Sequence, residues 1–426
     1  MAGQLSHTPR RMDGLRPRTI AAVLLLLTLT ACDALQVPTP APTPVATPTG
    51  SSASAPPTAT PGPTATPVPT TPPTPSPTPT ASPSPTPTPS PTLPPATDWT
   101  APLLIDAAYA PYVSLAVDAQ GHTHVAASDL NSVYYLTDSS GAWSRTLVAT
   151  PPAGGADIEP VIALAPDGSL AIAFTRWSVW PDASATLGEI EGIYFVRQTE
   201  QGWSDPSQLP GFGQQPALVF WNGSWNIIAR QFDGLFWYRR DGADWPGRNI
   251  GDRGSGGAQM VVDGQGVAHV VYAGANGLIE VTRDGTLTDQ PVPGTDGGQH
   301  PLLAVDGAGN VHLLYSDGVG QVLERALEGG AWSAPEQLDV GGADAFGIDA
   351  AGNLQLVYLR RTASPQLVYS TVAAGSTATA ELASVATLPR PAGAPALVLD
   401  GAGQPHVVYS TLGDGLGTYV RVGPAL

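Results

Sequence analysis

One pattern recurs along the C-terminal three quarters of the chain: an apolar run, Asp, two residues, Gly, then a second apolar run that often holds His and ends in Tyr. The clearest copies run through Asp263, Gly266, His269 and Tyr272, and through Asp306, Gly309, His312 and Tyr315. Others pass through Asp349, Gly352, Gln355 and Tyr358, and through Asp400, Gly403, His406 and Tyr409; looser copies centre on Gly121, Gly168 and Gly223. The seven glycines are separated by 47, 55, 43, 43, 43 and 51 residues. A strand-rich unit with a period in the forties predicts a β-propeller rather than a helical solenoid. Within each unit the Asp accepts hydrogen bonds from backbone just ahead of it, and Gly supplies the positive φ of a tight hairpin.

Each unit continues with a third strand, as at Val133–Leu136 and Gly192–Val196, and a fourth that often opens on Trp, as at Trp143, Trp203 and Trp332. The last repeat holds only three strands before Leu426. Its fourth is supplied from the start of the domain, where Trp99-Thr100-Ala101-Pro102 aligns with Trp332-Ser333-Ala334-Pro335. Pairing Trp99–Ile105 into the last blade closes the ring and leaves no open edge. The expected fold is therefore all-β: a seven-bladed propeller of four-stranded blades over residues 99–426.

The preceding residues have a different character. Arg10, Arg11, Arg16 and Arg18 precede an apolar run from Ile20 to Ala31, the pattern of an export signal over residues 1–31. The run is too short to span a bilayer core of about 30 Å as a permanent helix. From Val37 to Thr97 the chain carries 23 of its 46 prolines and no charge. Such a segment buries too little to offset its ordering entropy, so residues 32–98 are expected to form a disordered Pro/Thr-rich stalk biased to polyproline II. Its extended reach is at most roughly 190 Å at about 3.1 Å per residue.

Composition removes several functions. The 18 basic residues are all Arg, so there is no lysine Schiff base and no P-loop lysine. A net charge of −17 argues against nucleic acid as a partner. A single Cys, Cys32, excludes a disulfide framework and a Cys-rich zinc site. No EF-hand loop, His-Glu-x-x-His or Gly-x-Ser-x-Gly motif occurs, and neither cofactor nor metal is expected.

Two resemblances add to this reading. Leu29-Thr30-Ala31-Cys32 resembles the lipobox of bacterial lipoproteins. That resemblance implies cleavage before Cys32, lipidation of its sulfur, and a protein held outside the cytoplasm on a membrane, either periplasmic or surface-exposed. The hairpins and Trp-Ser-x-Pro strands of residues 99–426 resemble the sialidase-like, Asp-box (BNR) superfamily; its own motif survives only as degenerate turns such as Asp138–Trp143 and Asp241–Trp245. An NHL-type propeller is a second relative by resemblance, through Val305–Val311.

His124, His269, His312 and His406 occupy one slot, three residues after the repeat glycine, with Asn226 and Gln355 in the same slot elsewhere. Equivalent slots lie around a ring, too far apart to share one ion, so these residues are expected to serve a local hydrogen bond in each blade. Phe174, Tyr272, Tyr315, Tyr358 and Tyr409 are expected to pack blade on blade. The ligand face is expected where chains enter first strands, at Tyr112, Glu159, Gln215, His300 and Asp344, and leave second strands, at Asp129, Arg176, Arg230, Asp317 and Arg360. Arg176, Arg230 and Arg360 are candidates for a carboxylate-binding set, since guanidinium forks match planar anions; they compete with a reading as surface arginines. His300 joins them, and Trp177 and Trp180 in the loop Trp177–Glu191 offer flat surfaces to a sugar. Two functional classes remain: a binding or scaffold module for a glycan, peptide or envelope protein, and a sialidase-like glycoside hydrolase or lyase. The first is favoured because no complete hydrolytic constellation is assembled from recognisable motifs.

Overall fold

The protein is described from a computed structural model, in which residues 99–181, 188–251, 257–283, 287–363, 365–387, 391–412 and 416–424 are described. The export segment, Cys32 and the Pro/Thr-rich stretch lie outside the described residues. Residues from Trp99 onward form seven antiparallel sheets, each built on a four-strand order. Blade 1 spans Tyr112–Ala149, blade 2 Ala156–Gln208, blade 3 Gln214–Gly251 and blade 4 Gln259–Pro291. Blade 5 spans Gln299–Gln337, blade 6 Ala345–Thr387, and blade 7 Pro391–Val422 with Leu103–Asp106. This is the seven-bladed propeller that the repeat predicts.

The repeat glycines carry the geometry expected of them. Gly121, Gly168, Gly223, Gly266, Gly309, Gly352 and Gly403 all have φ between 72° and 88°. The Asp side chain organises each turn: Asp263 Oδ1 accepts from the backbone N–H of Gln265 at 2.9 Å and of Val267 at 2.7 Å, and Asp306, Asp349 and Asp400 repeat the arrangement. Blade 3 replaces this turn with the tighter Asn222-Gly223 pair, both at positive φ, which suits a two-residue hairpin.

Seven hydrophobic clusters each join two adjacent blades, so the core consists of seven interfaces around a ring. The aromatic slot lies in these interfaces: Phe174 packs with Tyr135 of blade 1, Tyr272 with Trp237 of blade 3, and Tyr409 with Tyr369 of blade 6.

Ring closure takes the expected form. Leu103 pairs with Val420 and Leu104 with Tyr419, with a bulge before Asp106 pairs with Thr418. Thr100 donates its N–H to Val422 O at 3.0 Å, while Arg421 Nε donates to Thr100 O at 2.7 Å. Trp99 meets Tyr369 of blade 6 edge to face, with ring centroids 4.9 Å apart. The outermost strands of blades 2 and 5 are likewise split, into Gly202–Trp203 and Ser207–Gln208, and into Ala331–Trp332 and Glu336–Gln337. Pro206 and Pro335 lie in the gaps, where a residue without an N–H is tolerated on an edge.

Candidate functional site

The histidine slot is a set of separate local bonds, internal to the blade in blades 1, 3, 4, 5 and 6. His269 stands between Glu280 Oε1, 2.8 Å from Nδ1, and Asp263 Oδ2, 3.2 Å from Nε2. His312 stands likewise between Glu324 and Asp306. Burial lowers the affinity of both rings for a proton, but the flanking carboxylates outweigh it and raise both pKa values. Gln355 bridges Asp349 and the hydroxyl of Tyr369, and Asn226 accepts from Trp237 Nε1 at 3.0 Å. The partner comes each time from the third strand, two residues before the slot's cross-strand neighbour: Tyr135, Trp237, Glu280, Glu324 and Tyr369. In blade 7 that position is Val420, and His406 bonds instead to Thr123 of blade 1 at 2.9 Å. Among the described residues no group of three or more His, Cys, Asp or Glu is placed to hold a metal ion.

The opposite face, where second strands end and first strands begin, carries an unusual backbone. Glu159, Gln215 and His300 have φ of 54°, 55° and 51°. Each stands directly before a proline, inside a bulge that interrupts pairing of the first two strands of blades 2, 3 and 5. A side chain in the left-handed region costs about 1–3 kcal/mol, and such strain concentrates at ligand clamps and active sites; bulges re-aim side chains at such places. The sequence signal is a polar residue before Pro, eight or nine positions ahead of the repeat glycine.

Three local arrangements follow on this face. In blade 2 Arg176 forms a two-pronged pair with Asp157, Nε to Oδ1 at 2.6 Å and Nη2 to Oδ2 at 2.7 Å. Asp157 is 0% exposed and Arg176 8%, and Nη2 also donates to Thr150 O. The Arg176 guanidinium is thus turned inward and lies over the Tyr194 ring at 4.3 Å. Beside it Trp177 and Trp180 pack on each other edge to face at 5.4 Å. The expected loop after Trp177 is shorter than the sequence suggests, because the flanking strands run to Val179 and resume at Glu189.

The second arrangement crosses blades 1 to 3. Glu159 Oε2 accepts from Thr175 Oγ1 at 2.9 Å and from Gln215 N at 3.0 Å. Burial raises the Glu159 pKa against these bonds and against the charge of Arg230. Tyr112 lies close enough to Glu159 for that charge, added to burial, to raise the phenol further from ionisation.

The third is a cleft of about 740 Å³ reaching from blade 4 to blade 6. It brings together His300 and Ser316 of blade 5 with Asp344, Tyr358, Arg360 and Arg361 of blade 6. His300 Nδ1 lies 3.3 Å from Ser316 Oγ, and Asp344 Oδ2 accepts from Leu359 N at 2.7 Å. Burial raises the Asp344 pKa, with Leu359 and the Arg361 charge opposing. Arg360 Nη2 donates to the Tyr358 hydroxyl at 3.2 Å. Of the six side chains expected to bind ligand, His300 and Arg360 therefore share one cleft. Arg176, Trp177 and Trp180 belong to blade 2, and Arg230 stands near Glu159; none of these four lines that cleft. Asp157, Thr175 and Arg361 escaped the sequence reading, and Tyr358 was expected only to pack between blades; Asp157 and Thr175 acquire their places from cross-strand register.

No protein-family model matches the chain, and no curated protein sequence matches it. The solved structures it resembles are β-propeller proteins. An ulvan lyase of polysaccharide lyase family 25, bound to -[GlcA(1-4)Rha3S]-, aligns with a TM-score of 0.53 at 12% identity, over 72% of this chain and 91% of that one. A catalytically inactive virginiamycin B lyase from Staphylococcus aureus, with quinupristin, aligns with a TM-score of 0.50 at 12% identity, over 77% of this chain and all of that one. At such identity the likeness is one of fold. The class defined is thus the seven-bladed β-propeller with a polar cleft on its bulged face.

Proposed function

We propose that this chain is a lipid-anchored, extracytoplasmic binding propeller whose ligand is an acidic glycan, held in the cleft between blades 5 and 6. The observation that carries the reading is the convergence of Arg360, Arg361 and His300 on one cleft of about 740 Å³, a size typical of small-ligand sites. Guanidinium groups recognise a planar carboxylate, and Leu302, Leu314 and Tyr358 supply apolar surface for a sugar ring. The surrounding protein is strongly acidic, so this local cationic rim selects by position rather than by bulk charge. The anchor rests on Leu29–Cys32 and the reach on the Pro/Thr-rich stretch.

Uronate-containing oligosaccharides, the class of ligand held by the ulvan lyase, are the first probes. Calorimetry on wild type and on Arg360→Ala with Arg361→Ala should show affinity falling by about tenfold or more, since a bond to a charged group is worth about 1.5–3 kcal/mol. Affinity unchanged in the double variant overturns the site.

A second reading, glycoside hydrolase or lyase, is favoured by Tyr112 lying within reach of the Glu159 charge. Both groups are shifted toward their neutral forms, which suits a proton donor and disfavours a phenolate nucleophile. New reducing ends or unsaturated products released by the wild type, and abolished in Glu159→Gln, would establish it.

A further inference from the structure

We infer that a second cleft, between blades 1 and 2 on the face of the Asp-x-x-Gly turns, binds a neutral saccharide. At three other junctions on that face neighbouring turns touch. Gly264 of blade 4 donates its N–H to Gly309 O of blade 5 at 3.0 Å, and a Cβ on Gly264 would lie only 2.7 Å from Gly309 Cα. A Cβ on Gly307 would meet Ala350 of blade 6 at 3.9 Å, and one on Gly121 would meet Asp400 of blade 7 at 3.8 Å. Between blades 1 and 2 no such contact is made: a Cβ on Gly168 would meet nothing within 4 Å, as at Gly223, Gly266 and Gly403, and here the two turns line a cleft of about 570 Å³.

The sequence explains the opening. In the blade 2 turn Ala165 replaces the repeat Asp, and Ala171 occupies the slot that holds His, Asn or Gln in six other blades. The blade 2 wall therefore presents Leu164, Pro166 and Leu170, whereas the blade 1 side keeps the full polar set. Asp118 Oδ2 accepts from His124 Nε2 at 3.3 Å, and His124 Nδ1 accepts from the Tyr135 hydroxyl at 2.7 Å. Burial lowers the His124 pKa against the pull of Asp118, and a neutral ring that donates from Nε2 to the carboxylate leaves Nδ1 as the acceptor. The Tyr135 oxygen retains acceptor capacity, and its ring is held from behind by Trp203 at 5.1 Å, edge to face.

The rim differs from this committed floor. Gln120, Ser139 and Gln198 line the cleft with exposed side chains, and among the described residues those side chains make no hydrogen bond. They supply both donors and acceptors. Asp118 and Asp167 are the charged side chains of the lining, with no Arg among them, so an anionic ligand is repelled. Gln120 and Ser139 of blade 1, with Gln198 beside the apolar wall of blade 2, suit the hydroxyl edge and the C–H face of an uncharged pyranose. This site is independent of the cationic cleft at blades 5 and 6 and takes an uncharged rather than an acidic ligand.

Saturation-transfer NMR on the full chain, with the methyl glycosides of glucose, galactose, mannose and fucose, tests the inference. At least one should bind, with an affinity insensitive to salt. Ala119→Trp, which fills the cleft from an exposed turn position, should abolish binding. Gln198→Ala, on an exposed strand position, should weaken it about three- to tenfold, the worth of one neutral hydrogen bond. Arg360→Ala with Arg361→Ala should leave it unchanged. Failure of all four glycosides to bind, persistence of binding in Ala119→Trp at an unchanged unfolding midpoint, or equal loss in the arginine variant would each overturn it, whatever the fate of the acidic-glycan reading.

Discussion

Replacing Arg176 by Ala separates a structural arginine from a ligand-binding one. The guanidinium makes two bonds of 2.6 and 2.7 Å to a carboxylate that is 0% exposed, so its removal strands a buried charge beside Glu191, whose own charge already disfavours ionised Asp157. Breaking such a pair on one side costs about 3–5 kcal/mol, a third or more of the total stability of many domains at about 5–15 kcal/mol. Burial raises the Asp157 pKa against the pull of Arg176, and taking such a pair out of water offsets much of its mutual attraction. Replacing both partners, as in Arg176→Met with Asp157→Leu, should therefore restore stability to within about 1 kcal/mol of wild type or exceed it. Urea unfolding followed by tryptophan fluorescence gives the two differences, and glycan binding measured on the same proteins gives the third observable. The reasoning fails if Arg176→Ala unfolds within about 0.5 kcal/mol of wild type, the range of an ordinary surface change. It also fails if the double replacement is as unstable as the single.

Removal of Trp99–Asp106 should cost several kcal/mol, about the worth of an outer strand's burial and pairing, because it strips the pairing to Val420 and Tyr419 and the Trp99–Tyr369 contact; a chain starting at Ala107 that unfolds at the same urea midpoint as one starting at Thr97 would contradict closure. His269 and His312 have raised pKa values, so their contribution is complete below the unfolded value near 6.5 and is lost as pH rises through the folded value. His124 and His406 are lowered, so theirs is present above about 6.5 and lost as pH falls. His269→Gln with His312→Gln should accordingly flatten the alkaline decline in urea midpoint and leave the acidic one; an unchanged alkaline limb would refute the assignment. Cys32→Ala should release the protein from membranes, and a protein that still fractionates with membranes and carries no lipid by mass spectrometry would remove the anchor.

The fold was legible because its determinants are local and repeated. Asp and Gly at a fixed offset specify a turn whose hydrogen bonds close within five residues, and seven copies at one period leave a ring as the only way to bury both sides of every sheet. Even the closing strand was readable, since Trp99 and Pro102 stand in the same order as Trp332 and Pro335 and fold the same way, with a break at the proline. The histidine slot was legible for the same reason, although its partners were not: Glu280 and Tyr369 belong to a third strand whose register depends on the length of the second turn. The bulges before Pro160, Pro216 and Pro301 were written in the sequence as well, but as a residue pair that matters only once a first strand is known to be paired there.

The site was less legible, because identical positions in the repeat meet different neighbours. Arg176 and Arg360 occupy equivalent second-strand ends, and from sequence they carry equal weight. In blade 2 the facing first strand supplies Asp157 directly opposite Arg176, and the guanidinium is drawn into the sheet. In blade 6 the chain ahead of the first strand runs through Gly341 and Gly342, which add no side chains to the wall and leave Arg360 lining the cleft beside His300. The same contrast governs the turn face, where Gly264 and Gly309 seal blades 4 and 5 while Ala165 leaves blades 1 and 2 apart. A propeller of this kind acquires binding sites where one unit departs from the repeat that its neighbours keep, so the informative residues are the departures themselves. Ala165 stands where five of the six other units keep Asp, Ala171 where all six keep His, Asn or Gln, and Asp157, eleven residues ahead of the repeat glycine, where they carry Ala, Gly, Ser or Phe; the first two line an open cleft, and the third closes an arginine out of one.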